Sequence, residues 1–199
     1  MKQAIFILLD QFADWEFAFL APALRGEVTQ GYQVRFASSN KQPKTSIGGL
    51  TVLPDLSVEE IPDDADALIL IGAEGSWRKS PPEHIARLAL AYKKSGRVVG
   101  AICDAARYAG GIGLLNDVRH TLNSPDGMDE LPDYQNPSGY QQAESVRDGN
   151  IVTANGNAPV AFAADVLRAL SAAPEAEIQQ FFDFYTLGYH AALKKYGFT

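Results

Sequence analysis

The sequence contains a single cysteine, Cys103, among its 199 residues. One cysteine cannot form a disulfide bond within the chain, so the sequence excludes a small secreted scaffold held together by disulfides. A lone thiol is typical of proteins from a reducing compartment, and this favours a cytoplasmic location.

Long hydrophobic runs are also missing. The apolar run at residues 4–9 is too short for the core of a signal peptide, and no small-residue cleavage site follows it. No stretch approaches the roughly 18 uninterrupted apolar residues of a membrane span. We therefore expect a soluble cytoplasmic protein without a membrane partner.

Positive charge is scarce, because 17 Lys and Arg residues face 24 Asp and Glu residues, for a formal net charge of −7. Without a broad basic face, the protein is not expected to bind nucleic acid as its main activity. The 3 histidines do not have the spacing of metal ligands, so we expect no metal site.

Glycine-rich phosphate-binding motifs are absent as well. Residues 10–13, which follow the first apolar run, contain no G-x-G-x-x-G motif, and the sequence has no G-K-S/T loop. Binding of a nicotinamide or flavin by such a loop is disfavoured. We expect no cofactor.

The composition that remains is ordinary for a folded globular protein, with 46% hydrophobic and 21% charged residues. One domain usually takes about 100–200 residues. We therefore expect residues 1–199 to form a single domain.

Short apolar runs alternate with segments of helical spacing along the chain. The runs predict strands at 4–9, 32–37, 50–53, 66–71 and 97–102, and a hairpin at 146–155. Helices are predicted at 15–28, 81–94, 104–115, 158–170 and 175–196. The Pro81-Pro82-Glu83 sequence marks the start of the second of these helices. This alternation predicts an α/β fold, a flavodoxin-like three-layer sandwich with a mainly parallel central sheet and helices on both faces.

Two of these helices carry further expectations. In the first helix, Trp15, Phe19 and Leu24 could share a buried face, and Pro22 should kink it. The last helix, at 175–196, is rich in aromatic residues. Its aromatic stripe packs onto the core of its own domain or forms a dimer contact.

Ligands of open parallel sheets bind at the carboxyl ends of the strands. The loops at 10–14, 72–75 and 103–105, and the turn before the helix at 158, should meet at that edge. The loop at 123–139, which is rich in proline and glycine, is expected to lie at the surface and to border a site.

Cys103 stands where a predicted strand passes directly into a predicted helix. The sharp turn exposes the thiol at the sheet edge, and the N-terminus of the helix favours the thiolate, so we expect a pKa below the ordinary value of about 8.5. The alternative is a small, inert cysteine buried in the core.

The sequence AICDAARYAGGIGLLNDVRHTLN around Cys103 resembles the nucleophile segment of the ThiJ/PfpI superfamily, which has the class I glutamine amidotransferase-like fold. FILLDQFADWEFAFLAPAL resembles the first strand and helix of that family, and ALILIGAEGSW resembles the loop that supplies an oxyanion-hole amide. DGNIVTANGNAPVAFAADVLRAL resembles its closing hairpin and helix. These segments cover most of residues 4–170, and the chain is identified as a bacterial type 1 amidotransferase-like member.

The resemblance implies a role for five residues. Cys103 is the nucleophile or redox thiol, Glu16 is the buried carboxyl beside it, and His120 is a base or a partner of the thiolate. The backbone amides of Ala73 and Ala105 form the oxyanion hole. The alternatives are a first-turn acid for Glu16, which would stabilise the helix dipole, and a surface residue at the start of a loop for His120.

The sequence departs from two branches of that superfamily. Asp104 follows the cysteine where the protease-like branch has histidine, and this argues against peptidase activity. Asn155-Gly156-Asn157 stands where glutamine amidotransferases have a histidine and an acid. Asparagine cannot act as a base, so glutaminase activity by the usual triad is not expected.

Two functions follow from the resemblance. The first is a cysteine-dependent hydrolase or amidotransferase-like enzyme, with glyoxalase or deglycase chemistry among its activities, that acts on a small carbonyl or amide substrate. The second is a non-catalytic stress-response or redox-sensing protein whose thiol is oxidised to a sulfinic acid. The resemblance also implies a homodimer.

Overall fold

The protein is described by a computed structural model, which covers residues 1–79, 81 and 83–197. Its strands follow the predicted apolar runs, with two additional short ones. The strands are β1 (Lys2–Ile7), β2 (Tyr32–Ser38), β3 (Lys44–Thr45), β4 (Thr51–Val52), β5 (Leu56–Ser57), β6 (Ala67–Leu70), β7 (Val98–Ile102), β8 (Ser145–Asp148) and β9 (Ile151–Ala154).

Helices occupy most of the segments between these strands. They are α1 (Asp14–Phe17), α2 (Leu20–Pro22), α3 (Ser76–Lys79), α4 (Glu83–Lys94), α5 (Asp104–Gly111), α6 (Pro159–Ala169), α7 (Glu175–Leu187) and α8 (Tyr189–Tyr196). A π-helical turn at Ala23–Glu27 and short 3₁₀ helices at Val58–Glu60 and Pro137–Gly139 complete the set.

Seven strands form the central sheet in the order β5-β2-β1-β6-β7-β9-β8. Every neighbouring pair is parallel except β8 and β9, which form the predicted antiparallel hairpin. β3 and β4 form a separate two-stranded sheet, so the predicted strand at 50–53 does not join the central one. The predicted α/β fold, a flavodoxin-like sandwich with a mainly parallel sheet, is confirmed.

Successive residues of each central strand point into two different cores. On β6, Leu68 and Leu70 belong to the core that α4 and α5 cover. Ala67 and Ile69 belong to the core that α2, α6 and α7 cover. This alternation is the period of two expected for a strand, and burial on both faces explains why the strand reads as a continuous apolar run.

The first and last predicted helices are both interrupted. The segment that follows Asp14 divides into α1, α2 and a π-helical turn with a kink at Gly26, where φ is 151°. Trp15 is 44% exposed, so the predicted face that it shares with Phe19 and Leu24 is wrong, and only Leu24 of the three is fully buried. The indole leaves the core because its N–H donates to the Gly156 carbonyl at 2.7 Å.

The predicted helix at 175–196 is two helices. Gly188, with φ 84° and ψ 155°, lies between α7 and α8 and cannot belong to either of them. The start of the helix predicted at 81–94 includes Pro82, which lies outside the described residues. In the described part of the chain, no helix has the length and apolar character needed to cross a bilayer.

Candidate functional site

Cys103 connects β7 directly to α5. Its backbone has φ 63° and ψ −129°, a conformation that L-residues other than glycine rarely adopt. Such strain costs about 1–3 kcal/mol and persists where surrounding contacts enforce it. Here the Cys103 N–H donates to the Ala154 carbonyl of β9 at 2.9 Å. The predicted sharp turn is present, and the side chain is half-buried rather than sealed in the core.

Glu16, in the first turn of α1, has no solvent exposure. Its Oε2 accepts a hydrogen bond from the Gly72 N–H at 2.6 Å. Its Oε1 is buried and has no hydrogen-bond partner among the described residues. A buried carboxyl oxygen without a donor is the oxygen best placed to carry a proton. Glu16 is therefore more than the first-turn acid that its position in the sequence alone suggests.

Two glycines bring this carboxyl and the thiol together. A β-carbon on Gly72 would lie 2.6 Å from Glu16 Oε2 and 2.7 Å from Cys103 Cβ. A β-carbon on Gly156 would lie 2.8 Å from Cys103 Sγ and 3.3 Å from Glu16 Oε1. The sulfur and the unpaired Oε1 therefore both lie within 3.3 Å of one point above Gly156. Only a residue without a side chain allows this close approach.

Burial dominates the protonation of the pair. It raises the pKa of Glu16 to about 7, against the hydrogen bond from Gly72. Burial, and then the charge of Glu16, raise the pKa of Cys103 to about 11. The sequence-based prediction that the helix N-terminus lowers the pKa of Cys103 is therefore wrong. Desolvation of the thiol raises the pKa by more than the hydrogen bond from the Asp104 N–H lowers it.

These two pKa values belong to the pair rather than to separate groups. The pair loses a first proton near pH 7 and keeps one shared proton until about pH 11. In that interval the order of the two pKa values makes a thiol beside a carboxylate the main arrangement and a thiolate beside a carboxyl the minor one. Both arrangements have the same net charge.

Asn123, at the start of the loop predicted to border a site, contacts the sulfur. Its Nδ2 donates to Cys103 Sγ at 3.2 Å, and its Oδ1 accepts from the Gly156 N–H at 2.8 Å. Sequence reasoning missed this residue because an asparagine in an irregular loop has no pattern that identifies it. Gly72 and Gly156 were missed as site residues for the same reason.

Both ring nitrogens of His120 have partners other than the Cys103 sulfur. The residue is fully buried, its Nδ1 lies 2.9 Å from the Val118 carbonyl, and its Nε2 lies 2.8 Å from the Tyr134 hydroxyl. Burial lowers its pKa, so it stays neutral. Among the described residues, the partners of the His120 ring do not include the Cys103 sulfur. The alternative of a surface histidine is wrong, because the residue is buried.

The amides predicted for an oxyanion hole lie next to the pair. Ala73 follows Gly72, whose own N–H is occupied by Glu16. Ala105 is the second residue of α5. The backbone N–H that contributes to the charge state of the sulfur is that of Asp104, one residue before Ala105. The roles of Ala73 and Ala105 stay a prediction.

Asp104 does not take the place of a catalytic histidine. Its carboxylate accepts hydrogen bonds from Arg78, from Nε at 2.9 Å and from Nη2 at 2.7 Å. This two-point ion pair occupies the carboxylate, so it is not available as a base toward the sulfur. The negative charge of Asp104 also raises the pKa of Glu16 by a small amount.

The thiol opens into a polar cavity of about 360 Å³. The cavity is lined by Arg78, Cys103, Asp104, Arg107, Leu122, Asn123, Ser124 and Asp126. A second cavity, of about 530 Å³, lies between Trp15 and the Asn155-Gly156-Asn157 turn and also reaches Asn123. Asn123 therefore lines both open spaces, and the thiol reaches the first of them. Among the described residues, no cluster of three or more His, Cys, Asp or Glu side chains has the arrangement of a metal site.

Comparisons with known proteins show the family and the fold. The family model of the DJ-1/PfpI family matches residues 2–169. A relative from Bacillus subtilis, named as an uncharacterised protease, is 31% identical over 197 residues, or 99% of this chain and 98% of its own length. A deglycase from Pyrococcus abyssi is 30% identical over 152 residues, which cover 76% of this chain and 88% of its own. The crystal structure of a DJ-1 superfamily protein from Agrobacterium tumefaciens superposes with a TM-score of 0.83 at 38% identity, covering 94% of this chain and all of that one.

Proposed function

Because the chain belongs to the DJ-1/PfpI family, we propose that Cys103 is the nucleophile of a hydrolase-like reaction on a small carbonyl or amide compound. The observation that carries this proposal is the unpaired, buried Oε1 of Glu16 beside the half-buried sulfur. The names of the relatives, a protease and a deglycase, support the hydrolase-like chemistry.

Glu16 is the proton carrier in this proposal. It takes the proton from the Cys103 thiol, and the thiolate attacks the carbonyl carbon of the substrate. A sulfur–carbon bond forms as the second carbon–oxygen bond breaks, and its electron pair moves to the oxygen. The N–H groups of Ala73 and Ala105 would stabilise the resulting negative charge.

Glu16 then returns the proton. With an α-oxoaldehyde, the proton goes to the oxygen to give a hemithioacetal, and a proton shift from its C–H to the neighbouring ketone carbon converts it to a thioester. With an amide, the proton goes to the nitrogen, and the carbon–oxygen double bond re-forms as the carbon–nitrogen bond breaks. In both cases water hydrolyses the thioester, which releases the acid and returns the Cys103 thiol. Glu16 suits this transfer because burial raises its pKa to about 7, close to neutral pH. His120 is not assigned a step, because both of its ring nitrogens have other partners.

Further features of the proposal come from the cavity and the family. A cavity of about 360 Å³ with polar walls fits a small substrate better than a folded polypeptide. We propose a cytoplasmic location on the basis of the single cysteine, and a homodimer on the basis of the resemblance. The substrate itself would be identified by a screen.

The test compares the wild-type protein with Cys103→Ala and Cys103→Ser on two probes, methylglyoxal and a p-nitroanilide of a small acid. Ser138→Ala, at an exposed position of the 3₁₀ helix Pro137–Gly139, is the matched control. We expect at least one probe to be consumed by the wild type and the control, and by neither cysteine variant.

Two results would overturn the proposed enzymatic activity. One is turnover that persists in Cys103→Ala. The other is no turnover of either probe by the wild type, together with a mass gain of two oxygen atoms at Cys103 after mild peroxide. That second result would support the redox-sensing alternative.

A further inference from the structure

We propose that Asn123 is a catalytic residue of this site, whose amide donates to the Cys103 sulfur and so favours the arrangement in which the shared proton of the pair lies on Glu16. This catalytic role of Asn123 rests on the proposed function, because it concerns the same Cys103 thiol. The inference stands on two hydrogen bonds at opposite ends of one side chain.

The orientation of the Asn123 amide is determined by its partners. The Gly156 backbone has only an N–H to offer at this point, so the atom 2.8 Å from it must be the oxygen of Asn123. The amide nitrogen is then the atom 3.2 Å from Cys103 Sγ, and it can only donate. The loop backbone thus holds a hydrogen-bond donor on the sulfur.

A hydrogen-bond donor held on the sulfur stabilises the two arrangements of the shared proton to different extents. A thiolate is a much stronger acceptor than a thiol, so the amide stabilises the arrangement with the proton on Glu16. The sulfur receives two donors, the Asn123 amide and the Asp104 N–H. The carboxyl receives one, the Gly72 N–H, on Oε2. The unpaired Oε1 is then free to carry the proton toward the sulfur.

Other charges around the pair act in the same direction or are neutralised. Asp104 disfavours a charged Glu16, which also keeps the proton on the carboxyl. Arg78 neutralises most of the Asp104 charge through their ion pair. Arg107 lines the cavity but donates to the carbonyls of Asp126 and Gly127. Asn123 is therefore the uncharged side chain whose hydrogen bond favours ionisation of the sulfur.

The experiment measures thiolate formation in the full-length protein without substrate. Absorbance at 240 nm and the rate of alkylation by iodoacetamide are followed against pH for the wild type, Asn123→Ala and Asn123→Asp. Since Cys103 is the only cysteine, both signals report one site. Burial raises the pKa of Cys103 to about 11, so in the wild type we expect the thiolate to appear well above neutral pH. In Asn123→Ala the midpoint should rise by about one pH unit, or about tenfold less thiolate at a given pH.

The Asn123→Asp variant shows whether Asn123 acts as a hydrogen-bond donor to the sulfur or only supports the loop. Its carboxylate keeps an oxygen for the Gly156 N–H but puts an acceptor and a negative charge on the sulfur. We expect its midpoint to rise further than that of Asn123→Ala. Asn40→Asp is the matched control, because Asn40 is exposed and uses the same Oδ1 toward a backbone N–H, that of Gln42.

A wild-type midpoint in Asn123→Asp would overturn the proposal, because the role of Asn123 would then be only to hold the loop. If thermal unfolding shows that Asn123→Asp does not fold, Asn123→Ala decides, since an unshifted midpoint contradicts the proposal. Failure of the proposed function is distinguishable: a shifted thiolate midpoint without turnover of any probe keeps the role of Asn123 and removes the enzyme.

Discussion

Gly156 and Cys103 approach so closely that a β-carbon on the glycine would lie 2.8 Å from the sulfur. This contact places the Asn155-Gly156-Asn157 turn against the thiol, at the position where the sequence lacks the histidine and acid of a glutaminase. The turn therefore contributes its backbone to the site: the Gly156 N–H orients Asn123 and its carbonyl holds the Trp15 indole.

We expect Gly156→Ala to lower the reactivity of the thiol. The added methyl group would displace the sulfur or the turn that orients Asn123, so the rate of alkylation at pH 8 should fall about tenfold or more, while the protein stays folded. Gly111→Ala is the control, because its β-carbon meets Leu131 at an ordinary distance of 3.5 Å. Equal alkylation rates in the two variants would mean that Gly156 does not confine the sulfur.

Gly72→Ala should be destabilising as well as less reactive. Its β-carbon would meet Glu16 Oε2 at 2.6 Å and Cys103 Cβ at 2.7 Å. The Glu16 carboxyl is buried and held by the Gly72 N–H, and Cys103 Cβ is attached directly to the backbone, so neither can easily give way. Overpacking of this kind typically costs about 1–3 kcal/mol of unfolding free energy. Urea denaturation measures the loss, and a stability equal to that of the wild type would show that the pair has room to move.

Glu16→Gln should remove part of the pH dependence of stability. The pKa of Glu16 is about 7 in the folded protein and near 4.5 in the unfolded chain, so the folded state holds the proton more tightly. Its contribution is complete below about pH 4.5 and is lost as the pH rises to about 7, amounting to at most about 3 kcal/mol.

The measurement is the free energy of unfolding against pH for the wild type, Glu16→Gln and the exposed control Glu59→Gln. Groups other than Glu16 contribute equally to all three and cancel in the differences. We expect the wild type and Glu59→Gln to lose stability across this interval and Glu16→Gln to lose less. Parallel curves for all three proteins would place the Glu16 carboxyl in an ordinary, solvated environment.

His120→Phe should affect stability more than the thiol. The substitution leaves the buried Tyr134 hydroxyl without its partner on the histidine, although that hydroxyl keeps the Asn136 carbonyl as an acceptor. A cost of about 1–3 kcal/mol is typical of a broken buried hydrogen bond. The alkylation rate of Cys103 should stay within about twofold of the wild type. A loss of alkylation in a folded variant would restore His120 as a partner of the sulfur.

The sequence predicted the framework of the fold and the turn at Cys103. The central strands are buried on both faces, so they read as uninterrupted apolar runs, and β6 and β7 were located to within a residue or two. The breaks were harder to see. Gly188 was read as part of one long helix, because a single glycine inside a helical pattern is compatible with either outcome.

The site was only partly predictable. Cys103 could be found because a strand-to-helix junction is visible in the pattern, whereas the burial of Glu16 depends on how α1 packs on Gly72. The role of Asn123 depends on a contact with Gly156, which lies far away in sequence. The thiol pKa was predicted in the wrong direction, because helix position is visible in a sequence and desolvation is not.

The state of the shared proton tests the account most directly. An infrared spectrum at about pH 9, between the two pKa values of about 7 and 11, reports whether Glu16 is protonated. The account predicts an ionised Glu16 and no thiolate absorbance at that pH, and a protonated-carboxyl band that appears as the pH falls below about 7 in the wild type and Glu59→Gln but not in Glu16→Gln. A protonated Glu16 beside a thiolate at about pH 9 would contradict it.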